Sequence, residues 1–137
     1  MVYRKDWGQP AQGGQGFART MKAFGRKVNV RSADVGTTGN VVGLFMLPAN
    51  FCVINWVGPN VPALGTALVL SIGDPGNTAR FLSGSTIGAA GGALPAMAAT
   101  GPFFTTTQDT EIQMLVSTQS SAPAAGVLEF YIYGFIL

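Results

Sequence analysis

The chain ends in the segment GVLEFYIYGFIL (126–137), which is apolar on both faces of the strand that its alternation predicts. One face carries Leu128, Phe130, Ile132 and Ile136. The other face carries Val127, Tyr131, Tyr133, Phe135 and Leu137, and Glu129 is the only charge in the segment. A strand that is apolar on both faces is covered on both sides, either in a sandwich or against a neighbouring subunit.

The rest of the chain from Val41 onward also has the pattern of β-strands. Val, Ile, Phe and Thr are frequent, Gly, Pro, Asn and Ser interrupt them at short intervals, and no long helical stripe occurs. Strands are predicted near residues 41–47, 51–57, 66–72, 80–87, 103–106, 111–117 and 127–136, with a further candidate near 28–31. These features predict an all-β fold, an antiparallel β-sandwich or jelly roll, in one domain.

The charges are concentrated at the N-terminus. Seven cations lie in the first 34 residues against Asp6 and Asp34, whereas residues 35–137 have a net charge of −3. This asymmetry predicts a flexible basic N-terminal arm (1–34) joined to a sandwich body (35–137). Part of the arm has a helical spacing at Phe17, Met21 and Phe24, and an extended arm fits equally well.

We expect this arm to contact an acidic protein surface, with nucleic acid binding or a solvated tail as the alternatives. The residues expected at the contact are its cations and two of its aromatic residues: Arg4, Lys5, Trp7, Phe17, Arg19, Lys22, Arg26, Lys27 and Arg31.

The body has too few charges for an ordinary free surface, since residues 35–137 contain only five. A soluble domain normally carries a mixed, charged surface, and a body without one is expected to bury part of its surface against other chains. Four side chains of the C-terminal strand are the predicted self-association site: Tyr131, Tyr133, Phe135 and Leu137. The alternative is a monomer whose surface consists of Gly, Ser, Thr, Asn and Gln.

Little in the sequence points to catalysis, a metal or a membrane. The chain has no histidine, and its single cysteine, Cys52, excludes an internal disulfide and is interpreted as a small core residue. Asp109 and Glu111 are interpreted as part of a polar turn that leads into a strand. Because Pro48 and two asparagines interrupt the apolar run 41–57, that run predicts two strands and no membrane helix. No enzyme activity, cofactor, metal or membrane partner is therefore expected.

The sequence also predicts the structure of two loops. In GDPGN, Asp74 and Pro75 fit the first two positions of a β-turn and Gly76 fits the third position of a type II turn, so the loop is interpreted as a turn and not as a ligand site. Asp74 and Arg80 are expected to form an exposed pair across this hairpin. The uncharged segment 85–102 is expected to be a loop or arm that a partner orders, or else a mobile surface loop.

The body resembles the small capsid decoration, or cement, proteins of tailed bacteriophages. The residues that carry the resemblance are LFMLPANFCVINWV, GTALVLSIGDPGNTARFLS, GAAGG and the strand EIQMLVS with the final aromatic strand. The resemblance implies a non-enzymatic oligomer on the outer capsid surface, assembled in the host cytoplasm. We accordingly expect a cement protein that bridges neighbouring copies of the major capsid protein and associates with itself, as a trimer, without nucleic acid as a partner.

The sequence is also compatible with two other functions. One is a receptor- or glycan-binding module of a fibre or tail, for which Trp56, Tyr131 and Tyr133 could form an aromatic platform. The other is a structural component of the neck or tail built on the same body.

Overall fold

The computed structural model describes residues 21–137, which form an antiparallel β-sandwich. The seven strands are β1 (Met21–Val30), β2 (Val41–Leu47), β3 (Phe51–Asn60), β4 (Val69–Asp74), β5 (Asn77–Ser85), β6 (Thr110–Thr118) and β7 (Gly126–Ile136). A 3₁₀ turn (Ser32–Val35) precedes β2, and one short helix, α1 (Ile87–Ala90), follows β5. The predicted all-β sandwich is confirmed.

Two sheets face each other. The three-stranded sheet has the order β1-β7-β3 and the four-stranded sheet has the order β2-β6-β4-β5. In both sheets the neighbouring strands are antiparallel, and β1 pairs with β7 without interruption from Met21 opposite Phe135 to Val30 opposite Gly126. Each sheet therefore contributes one inward face to a common core.

The core is built from alternate residues of the strands, as the sequence predicts. Ile112, Met114 and Val116 of β6 are fully buried. Phe130 of β7 lies under two aromatic rings, with centroid distances of 5.4 Å to Phe45 and 5.5 Å to Trp56. The contact with Phe45 of β2 joins the two sheets, whereas Trp56 belongs to β3 of the same sheet as Phe130. The Phe45–Phe130 contact therefore helps to hold the two layers together.

The N-terminal boundary of the sandwich differs from the prediction. Residues 21–30 form an edge strand on β7, so this part of the expected arm belongs to the body. The inward positions of β1 repeat every second residue, and Phe24 packs edge-on against Phe51 with the centroids 5.2 Å apart. This period-2 burial outweighs the helical spacing of Phe17, Met21 and Phe24, of which Phe17 lies outside the described residues.

Residues 103–106, predicted as a strand, form a shorter pairing along the outer edge of β3. The amide of Val53 donates to the carbonyl of Phe104 at 2.8 Å, and the amide of Thr106 donates to the carbonyl of Phe51 at 3.0 Å. Thr105 forms an antiparallel bridge with Cys52. Residues 103–106 thus form a short edge segment beside β3 in the three-stranded sheet.

The segment 85–102 packs on its own sandwich, which corrects the expectation of a mobile or partner-ordered loop. The indole nitrogen of Trp56 donates to the carbonyl of Pro95 at 3.0 Å, and the amide of Ala98 donates to Phe81 at 2.8 Å. Leu94 and Met97 pack against the core. The segment thus closes the side of the sandwich at which β3 and β5 end the two sheets.

The helices of residues 21–137 are too short to cross a bilayer.

Candidate assembly surface

The outer face of the three-stranded sheet gathers exposed or half-buried apolar side chains from all three of its strands. We call this surface the aromatic face and define it by six residues: Met21, Cys52, Val57, Tyr131, Tyr133 and Phe135. They share one side because they lie between inward-facing neighbours, and because the β1–β7 and β3–β7 registers place them side by side.

The register explains why the rings on β7 are half-buried. Tyr131 lies between Gly25 of β1 and Val57 of β3, and Phe135 lies between Met21 and Cys52. A Cβ atom on Gly25 would come within 2.7 Å of Cδ1 of Tyr131, so the tyrosine ring extends over the glycine. An aromatic side chain that covers a glycine on the next strand is a stabilising cross-strand arrangement.

Charge on this side is confined to one end. Lys27 and Glu129 lie opposite each other in the β1–β7 register. The hydroxyl of Tyr131 donates to Oε2 of Glu129 at 2.8 Å, and this hydrogen bond raises the pKa of Tyr131 above its usual value of 10.0. From Tyr131 to the C-terminus, β7 carries no charged side chain.

Several apolar side chains on or next to the aromatic face are half exposed or more. Val57 is 57% exposed and Met21 is 50% exposed. Leu137 follows β7, donates its amide to Asn50 at 2.8 Å and is 57% exposed. An apolar patch that draws on several strands is typical of an interaction site.

The four residues of the predicted self-association site therefore lie on or next to one exposed surface. The sequence did not identify Met21 and Val57 as parts of it, because only the strand register shows which residues of separate strands lie side by side. Cys52 is a correction: it was interpreted as a core residue, but it is half-exposed and lies opposite Phe135 on the outer face.

Phe103 is a further exposed aromatic residue that the sequence did not single out. It is 75% exposed and adopts a left-handed backbone conformation (φ 66°), which is unusual for a bulky residue. Its amide donates to the carbonyl of Val53 at 2.6 Å, and this bond to β3 holds the conformation. Phe104 turns inward, with its ring centroid 6.1 Å from that of Phe81.

The three residues suggested as a sugar platform do not come together. Trp56 is buried in the core, whereas Tyr131 and Tyr133 lie on the outer face of the same sheet. A platform of all three rings is therefore excluded.

The GDPGN loop is a tight turn that Asp74 organises. Oδ1 of Asp74 accepts hydrogen bonds from the amides of Gly76 (2.8 Å) and Asn77 (3.1 Å). The turn interpretation thus fits, but type II is wrong, because Gly76 is not among the residues with positive φ. Asp74 also forms an ion pair with Arg80, whose guanidinium lies 3.7 Å from the centroid of Phe104. This pair was expected to be exposed, yet Asp74 is buried.

A cleft of about 300 Å³ beside this turn is lined by the carboxylates of Asp109 and Glu111. Asp109 accepts the amide of Ala49 at 3.0 Å, and Glu111 accepts the side-chain amide of Gln113 at 2.8 Å. Both carboxylates thus hold local structure. Within residues 21–137, no group of three metal-ligating side chains exists.

Four of the predicted arm cations are among the described residues. Lys22, Arg26 and Lys27 are exposed on β1, whereas Arg31 pairs with Asp34 at 3.4 Å. The remaining arm residues of the prediction lie outside the described part of the chain: Arg4, Lys5, Trp7, Phe17 and Arg19.

Comparison with known proteins gives structural neighbours only. No protein-family model matches the chain, and no curated protein is significantly similar to it. The fold is similar to a chain of the solved structure named "Cyanophage Pam1 capsid asymmetric unit", with a TM-score of 0.74, 24% identity and coverage of 89% of each chain. It is also similar to a chain of "Capsid of Ralstonia phage GP4", with a TM-score of 0.71, 18% identity and coverage of 85% of this chain and 84% of that chain. At these identities the likeness concerns the fold.

Proposed function

We propose that the protein is a structural component of a virion, and that it decorates a tailed-phage head as a cement protein between neighbouring copies of the major capsid protein. The observation that carries the proposal is the aromatic face, an exposed and almost uncharged surface on a small, self-contained sandwich. A surface of this kind is stable when another protein covers it.

The comparisons support the same direction. Both structural neighbours come from structures named as phage capsids, and the similarity extends over more than four fifths of each chain. The proposal assigns a structural task to the protein, with no catalytic residues and no cofactor.

The aromatic face is proposed as the contact between copies of the chain, in a trimer. Tyr residues contribute large contact areas at a small cost in side-chain entropy, and apolar neighbours such as Val57 exclude water around them. A closed ring of three copies would cover this face on every subunit.

The basic residues are proposed as the contact with the major capsid protein on the outer surface of the head. Lys22, Arg26 and Lys27 project from the sandwich, and Arg4, Lys5 and Arg19 precede it. Opposite charge on the shell would orient the approaching protein and fix its register. Many copies on a symmetric lattice would turn weak single contacts into a stable layer.

The proposal is tested by co-sedimentation of the purified protein with capsid shells that lack it. The deletion should end at residue 20, because β1 begins at Met21 and its removal would expose β7. We expect the full chain to sediment with the shells and the chain lacking residues 1–20 to remain folded but bind at least about tenfold more weakly.

A matched variant separates charge from length. The triple variant Arg4→Gln, Lys5→Gln and Arg19→Gln keeps the whole segment, so it should weaken binding to a similar extent if charge is responsible. Failure of the full chain to bind shells would reject the cement function, and normal binding by both variants would reject the role of the N-terminal segment alone.

A further inference from the structure

We propose that the open edge of β1 receives an extended, acidic segment of the partner as an additional strand of the three-stranded sheet. The inference rests on the proposed function, because it specifies how a capsid protein would contact the sandwich. It concerns the edge of the sheet and not the aromatic face.

The first argument is the geometry of the edge. All ten residues of β1 pair with β7 on one side, and β1 is the last strand of its sheet. No other described residue pairs with its second side. A row of unpaired amides and carbonyls along ten residues is a template for another extended chain.

At the opposite side of the sandwich, the chain covers the edges of both sheets, which are β3 and β5. Residues 103–106 bond to β3, and the amide of Ala98 and the hydroxyl of Thr100 bond to the carbonyls of Phe81 and Arg80 on β5. Both edge strands on that side are therefore covered by the chain itself, whereas β1 has no such cover from the described residues.

The second argument is charge. Lys22 and Arg26 lie on the inward-facing side of β1 but remain exposed, and Lys27 projects from the outer side. Neither of the two ion pairs within residues 21–137 involves them. Three exposed cations thus line one open edge. Glu129 lies opposite Lys27 on β7, whereas the β7 residues opposite Lys22 and Arg26, Gly134 and Phe130, carry no charge. Carboxylates on an added strand would lie close enough to pair with these cations.

The same charges disfavour the other two occupants. A second copy of β1 would place cations next to cations, which is destabilising and is one way in which proteins block edge-to-edge pairing. Duplex DNA would engage only the three side chains through its phosphates and leave the main-chain groups of the edge unpaired.

The test compares charge variants of the full-length protein on capsid shells. The variant Lys22→Glu, Arg26→Glu and Lys27→Glu should bind shells at least about tenfold more weakly, and the corresponding Gln variant should show an intermediate loss. Arg26→Gln and Arg31→Gln are the matched pair of single variants, because each removes one exposed cation. Arg31 lies outside β1 and already pairs with Asp34, so its loss should weaken binding less than the loss of Arg26. Thermal unfolding should confirm that all variants are folded.

Hydrogen exchange gives the readout that charge alone would not change. On shells, the β1 amides that point away from β7 should exchange about tenfold more slowly than in the free protein, because an added strand bonds them. If the wild type binds shells while β1 exchange is unchanged, the proposed function stands and strand addition is rejected.

Three further results would also overturn the inference. One is β1 protection that appears on self-association without shells, which would identify a second copy as the occupant. Another is faster β1 exchange in the free protein after deletion of residues 1–20, which would identify the chain's own N-terminal segment. The third is binding of a DNA fragment that the Glu variant abolishes while shell binding persists.

Discussion

The outer faces of the two sheets are both built from alternating strands, but they carry different side chains. On the four-stranded sheet the polar side chains bind one another: Ser71 and Ser117 are 3.2 Å apart, and Gln113 donates to Glu111 at 2.8 Å. On the three-stranded sheet the corresponding positions carry the aromatic face, where Tyr131–Glu129 is the one side-chain hydrogen bond between its outward-facing groups in the described residues.

This difference indicates which side of the molecule is complete on its own. Val41 and Met46 are exposed on the four-stranded sheet much as Val57 and Met21 are on the other, so the difference lies in the rings of the aromatic face and not in the aliphatic side chains. Covering these rings would remove the larger apolar area from water. The four-stranded side is therefore expected to matter for the stability of the single chain, and the three-stranded side for association.

The largest expected effect tests the four-stranded side. Asp74→Ala removes the buried ion pair with Arg80 and two hydrogen bonds that hold the turn. Because the partly buried guanidinium is left without its partner, we expect the free energy of unfolding to fall by about 3 kcal/mol, measured by urea denaturation. Self-association at temperatures where the variant is folded should not change.

The control for this prediction is Arg31→Ala, which breaks the pair with Asp34 but leaves the hydrogen bond from the Arg31 amide to that carboxylate; the Arg31 side chain is 80% exposed. An exposed pair contributes about 1 kcal/mol or less. Equal losses in the free energy of unfolding for the two variants would mean that the burial of Asp74 adds nothing to its contribution. The expectation that the four-stranded side stabilises the single chain would then be contradicted.

The second prediction tests the three-stranded side with a matched pair of valines. Val57 and Val41 are 57% and 49% exposed, on the three-stranded and four-stranded sheets respectively. Val57→Glu would bury an unpaired charge in the proposed contact and should weaken self-association about 100-fold, or about 2.7 kcal/mol. Val41→Glu should leave association unchanged. Sedimentation velocity over a concentration series measures both.

Each alternative outcome has a definite meaning. Dissociation by Val41→Glu with no effect of Val57→Glu would assign self-association to the four-stranded side and reverse the comparison. A wild type that remains monomeric up to millimolar concentration would reject self-association through either face.

The sequence was sufficient where one strand alone determines the answer. The alternation in β6 and β7 predicted the inward-facing residues Ile112 and Phe130. The apolar second side of β7 predicted a cover either within a sandwich or from another subunit, and the structure places that side on the outer face. It was insufficient where the answer depends on which strands pair. Cys52 could not be recognised as a surface residue without the β3–β7 register.

The arm boundary failed for a related reason. The cations of β1 suggested a flexible arm, but an edge strand can carry exposed cations while Phe24 and Val28 pack inward. The segment 85–102 was misjudged because its Gly and Ala residues show no pattern of burial, although their small size is what permits close packing against the sandwich.

The smallest effect concerns the single charged hydrogen bond on the aromatic face. The pKa of Tyr131 is raised in the folded state by the bond to Glu129, so between the unfolded and folded pKa values the folded chain binds more protons than the unfolded one. This contribution to stability is therefore constant below pH about 10 and declines as the pH rises further.

The stability advantage of the wild type over Tyr131→Phe should follow that profile in thermal unfolding. Glu129→Gln should lower the pH at which the tyrosinate absorbance of this residue appears. An advantage that stays constant through pH 11 would show that the Tyr131–Glu129 bond does not form in solution, and the charged end of the aromatic face would then be as open to a partner as the rest.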